Sequence, residues 1–588
     1  MKQKGLSRRD FLKGSAAGAA GLAAAGILGA CSGRAGNAAT TAGSQAESSA
    51  AAEGMADNAA YRTADGQAKW AFEIPPEPIA EEEIKETLEA DVIVVGAGTA
   101  GLCTAVSAAE SGLDVILISA SEAPVSRGGS NHAFASRLLE EKKVEHEPVN
   151  RMMRRELLAN SGNVDERKWY KLVRDSEEAM NWMLDLMDKE GVKYGLEGTP
   201  HLYDETDPMY MSPGSHCFTD AEGTYPAGLG QQAAVEALAR HLETVGGKIY
   251  YKNIGKQLIR EDNNKGRVSA IVALREDGSY AKYCGAKAVV LATGDFSADK
   301  DMVAKYCPSV LPLIKDVEED YNRGLACNGI FFGDGQKMGL WVGAAWQRAF
   351  PNAPMIIGGA FCAQPSLSHT GLLLNKEGKR FSNEQSIFAL SAYKNLQQTD
   401  GTVYGIWGTN YAKDGGPWYR ANSWYEDEPF TTEEVIASWD DAAKAGVMSS
   451  GGDSMSTCVK ADTIEEVIRL LGLPEDAIEE VKRYNELCEA GEDTDFFKDP
   501  GLMVPIKEGP FYGCGGAKAT CLTICGGLRT NDRMQVCEED DTPIEGLYNV
   551  GIMVGDMYSS IYSFMVQGMN YGSCITFGYR LGRDLAEA

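Results

Sequence analysis

The stretch Ala90–Leu102, A-D-V-I-V-V-G-A-G-T-A-G-L, limits the fold of this chain more than any other. Its apolar run has the length and β-branched content of a strand buried on both faces, and G-x-G-x-x-G follows directly. Each glycine then has its own duty. Gly96 permits the tight turn, Gly98 lets backbone approach a pyrophosphate, and Gly101 lets the next helix pack on the strand. That helix, expected from Thr99 to about Ser111, aims its N-terminus (Thr99, Ala100) at the phosphates. Gly112–Ile118 supplies the second strand. The acid that normally binds a ribose at the end of this strand is absent. Ser119 stands there, with Glu122 as an alternative three residues on. The acidic run Glu81–Glu89 ahead of the strand reads as a helix-like entry.

A chain of 588 residues suggests two or three domains. Its formal charge of −28 repels phosphate backbones, so nucleic acid is not an expected partner. Ser7-Arg8-Arg9-Asp10-Phe11-Leu12-Lys13 precedes an Ala/Gly/Leu stretch reaching Ala30, the form of a twin-arginine export signal. The apolar run is too short and glycine-rich for a membrane span. It ends Leu28-Gly29-Ala30-Cys31, which has the form of a lipoprotein processing box as well as of a chance Ala-Cys pair, so Cys31 is a candidate lipid anchor. The expected location is periplasmic, or the outer face of the cytoplasmic membrane. Of 14 cysteines, 13 follow Cys31, and an odd count argues against a full disulfide framework. Cys514, Cys521, Cys525 and Cys537 are bunched, but at no recognised iron–sulfur spacing, so packed thiols and no metal are expected.

Further glycine turns follow in order: Arg127-Gly128-Gly129-Ser130-Asn131, Ala292-Thr293-Gly294-Asp295-Phe296, Gly333-Asp334-Gly335, Asn375 to Glu384 (N-K-E-G-K-R-F-S-N-E), and Gly546-Leu547-Tyr548-Asn549-Val550-Gly551. With the first motif they resemble the fumarate reductase/succinate dehydrogenase flavoprotein superfamily, in its flavocytochrome-like branch, over some five hundred residues from Ala90. One departure is Asp295, where the family's A-T-G-G-F pattern has its second glycine. The resemblance implies an α/β fold: a discontinuous Rossmann-like FAD-binding domain with an inserted α+β cap. Residues 1–31 are expected to be the signal and 32–84 a flexible linker. The FAD-binding domain is expected to comprise 85–355 and 510–588, with the cap, 356–509, between its two segments. Asn375–Glu384 reads as strand–turn–strand and 431–490 as helical. The implied cofactor is FAD, held by the residues of the first motif with Ser119, Gly128, Gly129, Ser130, Asn131, Ala292, Thr293, Gly294, Asp334, Gly551 and Asp556. A helix N-terminus at Gly572, Ser573, Cys574 and Ile575 is expected to cap the flavin's pyrimidine end.

Family members that reduce small dicarboxylates carry polar substrate anchors. At the matching positions this chain has Phe350, Phe388, Thr523 and Met565 (or Phe564). Three of the four are apolar, so the pocket is expected to suit a larger, flatter molecule than fumarate. The tail Gly568–Tyr579 resembles 3-ketosteroid dehydrogenases, in which a tyrosine and a glycine N–H polarise a ketone oxygen. Gly568 and Tyr562 are the counterparts here, with Tyr562 six residues upstream rather than four. The expected chemistry is hydride transfer to the β-carbon of an enone or enoate and protonation of the α-carbon by tyrosine. Tyr562, Tyr558 and Tyr571 are the candidate donors, with Tyr393 and His369 as further candidates from the cap. Electrons must come from an external donor, a cytochrome or quinol relay. The competing readings are a 3-ketosteroid-type dehydrogenase running the reverse reaction and a flavin-binding electron-transfer lipoprotein without turnover.

Overall fold

The strand Ile84–Val95 is the centre of the molecule because its second half is apolar without alternation. Val92, Ile93 and Val94 are fully buried, as befits a parallel strand covered on both faces. It pairs in parallel with Val115–Ile118 on one side and Tyr280–Leu291 on the other. The sheet extends through Lys248–Tyr250 at one end and, at the other, through Pro543–Asn549 to Gln535–Cys537. A hairpin, Asn253–Arg260 with Val268–Arg275, joins it along Tyr280–Leu291, making eight strands. Strands from both ends of the chain therefore share one sheet, which makes the domain discontinuous. The computed structural model describes residues 69–145, 147–198, 212–314, 331–358, 371–385, 388–419, 422–449 and 455–588. The export signal, Cys31, the linker up to residue 68 and His369 lie outside these residues.

The acid-rich entry corrects the helix expectation. Only Glu81–Glu83 form a single 3-10 turn, and the strand begins at Ile84. Residues 84–90 pair with 280–285, and that cross-strand pairing outweighs the local preference of a Glu-rich run.

Helices Thr99–Glu110, Glu166–Glu190, Gln231–Thr244 and Met569–Glu587 bury one face of the sheet in a common core. The last lies unusually close to the first. A Cβ added at Gly578 would come 2.7 Å from the Ala100 carbonyl oxygen, and one at Gly582 would come 2.6 Å from the Ala108 nitrogen. The glycine-spaced C-terminus is thus a helix-packing seam beside the dinucleotide helix.

A second, six-stranded antiparallel sheet comprises Leu372–Asn375, Thr402–Gly408, Phe511–Cys525, Met455–Ala461, Val447–Ser449, and Ala353–Gly358 against the far end of Phe511–Cys525, so it draws strands from both the expected cap and its flanks. Its own core contains Trp407, Trp418, Trp439 and Tyr512. Segment 431–490 is helical at Thr432–Ala445, Ile464–Leu471 and Ala477–Ala490, but two of the strands run between the first two helices. Around Glu377-Gly378 the turn forms, yet the return makes a single bridge, Leu374 to Arg380, not a second strand. Arg380 has other work. Its guanidinium binds Glu384 (2.9 Å) and Asp493 (2.8 Å), and the fully buried Lys498 lies 3.3 Å from Glu384.

Candidate functional site

The first motif builds a cavity at the carboxyl end of the parallel strands. It is lined by Val95–Gly98, Ser119–Ser121, Val125, Asn253–Gly255, Ala292–Gly294, Phe331, Asp334 and Met338. Gly96 has φ +119°, and a Cβ there would lie 2.2 Å from the Ala292 carbonyl oxygen. Gly101 approaches the Gly96 carbonyl as closely, at 2.1 Å for an added Cβ. Gly98 differs: an added Cβ would meet only the Val125 carbonyl, at 3.7 Å. Gly98 is the N-cap of helix Thr99–Glu110, so unpaired N–H groups of the first turn face this region. Close backbone, helix dipole and open space together fit a dinucleotide pyrophosphate.

At the end of the second strand the serines face the cavity. Ser119 and Ser121 share a 2.7 Å hydrogen bond, and both line the wall. Glu122 is largely exposed and lies 3.7 Å from Lys252, so its carboxylate is directed to a surface cation. Ser121 and Asn253 are lining residues the motif did not reveal; Tyr283 donates to Asn253 Oδ1 at 2.7 Å.

Several expected cofactor residues also hold the site's frame. The Asn131 amide donates to the Gly129 carbonyl (2.8 Å) and to Gln231 (2.8 Å), which fixes the glycine loop internally. Ser130 hydrogen-bonds Glu197, whose carboxyl is raised by burial. Gly128 has φ +66°, and an added Cβ would meet the Tyr571 ring at 3.8 Å. Gly129 packs on the backbone of Gly230, and Gly551 lies against Ala100. Thr99 hydrogen-bonds Ser126 (3.3 Å), and Thr293 accepts from the Gly335 N–H (3.2 Å). Asp556 accepts from the backbone N–H groups of Arg348 and Ala349, both at 2.8 Å, so its carboxylate secures that loop.

The C-terminal helix starts at Met569 with Gly568 as N-cap, one turn before the expected Gly572–Ile575. Those four residues are buried in helix packing: an added Cβ at Gly572 would lie 2.1 Å from the His132 carbonyl, Ser573 donates to Asn570, and burial pushes the Cys574 thiol up to about 12. Gly568, at φ +80°, is wedged against the backbone of Ser130–His132.

Three tyrosines surround this N-terminus and differ in how their hydroxyls are used. Tyr562, 2% exposed, accepts the Asn570 N–H at 3.2 Å, and its ring meets those of Tyr558 (5.1 Å) and Phe564 (4.6 Å). The Tyr558 hydroxyl is buried with no hydrogen-bond partner among the described residues. Burial pushes both phenols well above their ordinary range. Tyr571 donates to the Arg127 carbonyl and meets Ser126 at 3.0 Å, and Tyr393 donates to the Pro354 carbonyl at 3.0 Å, so both protons are committed. The preceding loop is clamped by Glu156, which accepts from Ser563 and from the Val566 N–H, each at 2.8 Å. Burial raises the Glu156 carboxyl to about 7.

The four expected pocket residues sit on different segments of the chain. Phe350 is 58% exposed, next to a cis bond to Pro351. Phe388 is the first residue of helix Phe388–Leu396, and Met565 is half-buried in the clamped loop. Thr523 is buried and donates to Asp295. Asp295 also pairs with Arg127 at 3.2 Å, and the Arg127 guanidinium lies 4.4 Å over the Phe331 ring. That these residues meet was invisible in sequence, although Asp295 and Thr523 were each marked as departures. Cys514, Cys521, Cys525 and Cys537 are buried thiols, and no group of three ligating side chains suited to a metal occurs among the described residues.

These features meet independent likenesses. A family profile described as FAD binding domain matches residues 91–565, and a twin-arginine translocation signal profile matches residues 5–25. A vinyl phenol reductase of Lactiplantibacillus plantarum is 24% identical, over 84% of this chain and 96% of its own length. A digoxin reductase of Eggerthella lenta is 24% identical over 99% and 97%. In fold, the chain is similar to a 3-ketosteroid-Δ4-(5α)-dehydrogenase of Rhodococcus jostii, with a TM-score of 0.61 at 21% identity, covering 87% of this chain and all of that one. FAD is the cofactor, the protein is an exported oxidoreductase, and no described helix is long and apolar enough to cross a membrane. The chain belongs to the FAD binding domain family, and its likenesses match the fumarate reductase/succinate dehydrogenase flavoprotein superfamily.

Proposed function

We propose that this protein reduces an activated carbon–carbon double bond, an enone or enoate, in a fairly apolar molecule. The observation that carries the reading is the Tyr562 hydroxyl. It accepts an N–H at the start of the C-terminal helix, so its own proton stays available for donation. Burial keeps the phenol in its acid form, while the helix N-terminus and the Asn570 N–H stabilise the tyrosinate left after transfer. The chemistry that bound FAD would supply, once reduced by the external donor, is hydride transfer to the β-carbon. Tyr562 then protonates the α-carbon, and the Gly568 N–H is assigned to the conjugated carbonyl oxygen as developing charge collects there. Tyr571 and Tyr393 are assigned positioning roles, because their protons already serve carbonyl acceptors.

The cavity-lining residues Gly96, Gly98, Ser119, Ala292, Thr293, Gly294 and Asp334 are assigned to FAD, with Ser119 and Ser121 in place of the missing ribose acid. The reductase relatives support the direction of reaction. We place the protein on the outer side of the cytoplasmic membrane, with Cys31 as its candidate lipid anchor and a cytochrome or quinol relay as electron source. Turnover in D₂O with a reduced viologen as donor tests the mechanism. The saturated product should carry solvent deuterium at both the α- and the β-carbon, since the hydrogen on reduced flavin N5 is also drawn from solvent, and Tyr562→Phe should lose turnover while keeping its FAD. Unchanged turnover in Tyr562→Phe contradicts the assignment.

A further inference from the structure

Asp295 and Thr523 are separate departures from the family pattern, one in a cofactor turn and one at a substrate anchor, yet they touch. Asp295 is 1% exposed, and its carboxylate is fully engaged. Oδ1 accepts the Ser297 N–H at 2.7 Å, and Oδ2 accepts from Thr523 and from Arg127 Nη2 at 3.2 Å. The Arg127 side chain is more open, at 19%. Its neighbours place the cluster beside the cofactor site. Gly128 and Gly129 follow it in sequence, Gly294 precedes Asp295, and the Phe331 ring beneath the guanidinium lines the cavity. Tyr571, on the first turn of the C-terminal helix, holds the Arg127 backbone from the other side.

We propose that Arg127, oriented by Asp295, is a specificity-determining residue that receives a neutral oxygen of the substrate and discriminates against a carboxylate. The proposal rests on the reductase reading for the identity of the site. A guanidinium donates readily to oxygen, but here its charge is balanced by a carboxylate that cannot leave. A ketone, lactone or hydroxyl oxygen accepts from Arg127 and meets no net charge. A carboxylate gains no net cation and is brought towards Asp295, a like-charge approach that interfaces use to reject wrong partners. The discrimination arises from the pairing, so it depends on Asp295 more than on Arg127.

Benzalacetone and cinnamate test this, because they share one aryl-vinyl skeleton and differ in ketone against carboxylate. Both are titrated into the oxidised FAD-loaded protein, reading the flavin absorbance shift, which needs no turnover. The wild-type protein should bind benzalacetone at least about tenfold more tightly than cinnamate. Asp295→Asn removes the balancing charge and should tighten cinnamate at least about tenfold. Arg127→Gln removes the donor, so it should weaken benzalacetone and not tighten cinnamate; it carries the test if Asp295→Asn fails to load FAD. Equal binding of both ligands by the wild type, no gain for cinnamate in Asp295→Asn, or unchanged benzalacetone affinity in Arg127→Gln overturns the proposal. The same samples, reduced anaerobically and offered benzalacetone, separate the two claims. Binding with the expected ratios but no reoxidation leaves the discrimination standing and removes the reductase reading.

Discussion

Alanine at three glycines separates backbone strain, protein packing and cofactor contact. At Gly96 the new Cβ lies 2.2 Å from the Ala292 carbonyl oxygen, and φ is +119°. The oxygen cannot easily retreat, because Ala292 is tied by its own N–H to Val95 at 2.9 Å. Strained backbone costs about 1–3 kcal/mol, and overpacking against backbone adds about 1–3 kcal/mol. Gly96→Ala should therefore lose about 2–6 kcal/mol of folding stability, together with FAD. Gly112→Ala is the control for strain alone: φ is +90° and nothing lies within 4 Å of the added Cβ, so only about 1–3 kcal/mol is at stake. Gly98→Ala meets neither obstacle, with φ −89° and the nearest atom at 3.7 Å. It should fold as stably as the wild type yet bind FAD weakly, by about 1–3 kcal/mol, since the methyl takes space the pyrophosphate needs. Urea denaturation of FAD-free protein measures the first quantity, and quenching of FAD fluorescence on titration measures the second. Wild-type FAD affinity in Gly98→Ala, or Gly96→Ala no less stable than Gly112→Ala, refutes the reasoning.

Other consequences follow from buried groups. Arg380→Leu leaves Glu384 and Asp493 buried without their shared guanidinium partner, and should destabilise the cap by about 3–5 kcal/mol in chemical denaturation. Tyr562→Phe should slow protonation about 10²–10⁴-fold, read as turnover with FAD content unchanged. Glu156, raised in the fold to about 7 from 4.5, favours folding in its protonated form. That contribution is full below the unfolded value, is lost as pH rises from about 4.5 through 7, and amounts to about 3 kcal/mol. Glu156→Gln should therefore flatten the stability–pH curve over this window and melt higher than the wild type at pH about 8; an unchanged slope contradicts the assignment.

The dinucleotide unit was legible because its determinants are local. An uninterrupted apolar strand and three glycines at fixed offsets leave little freedom, and Thr99–Glu110 and Val115–Ile118 follow from them. What escaped depended on distant partners. Residues 84–89 became strand because 280–284 lie beside them, and nothing in I-K-E-T-L-E announces that neighbour. The start of the C-terminal helix at Met569 rather than Gly572 depends on Gly568 wedging against Ser130–His132. Asp556 has the residue type of a cofactor ligand, and its place in the fold also gives it two backbone donors, 348 and 349. The Arg127–Asp295–Thr523 cluster joins segments separated by 168 and 228 residues, so only its odd residue types were visible beforehand.

The most direct test of the function is a single anaerobic experiment. The FAD-loaded protein is reduced with dithionite and mixed with fumarate, cinnamate, benzalacetone or a steroidal enone while the flavin absorbance is followed. Rapid reoxidation by an apolar enone with formation of the saturated product, and none by fumarate, is the predicted result. Reoxidation by fumarate alone, or by none of the four, contradicts it.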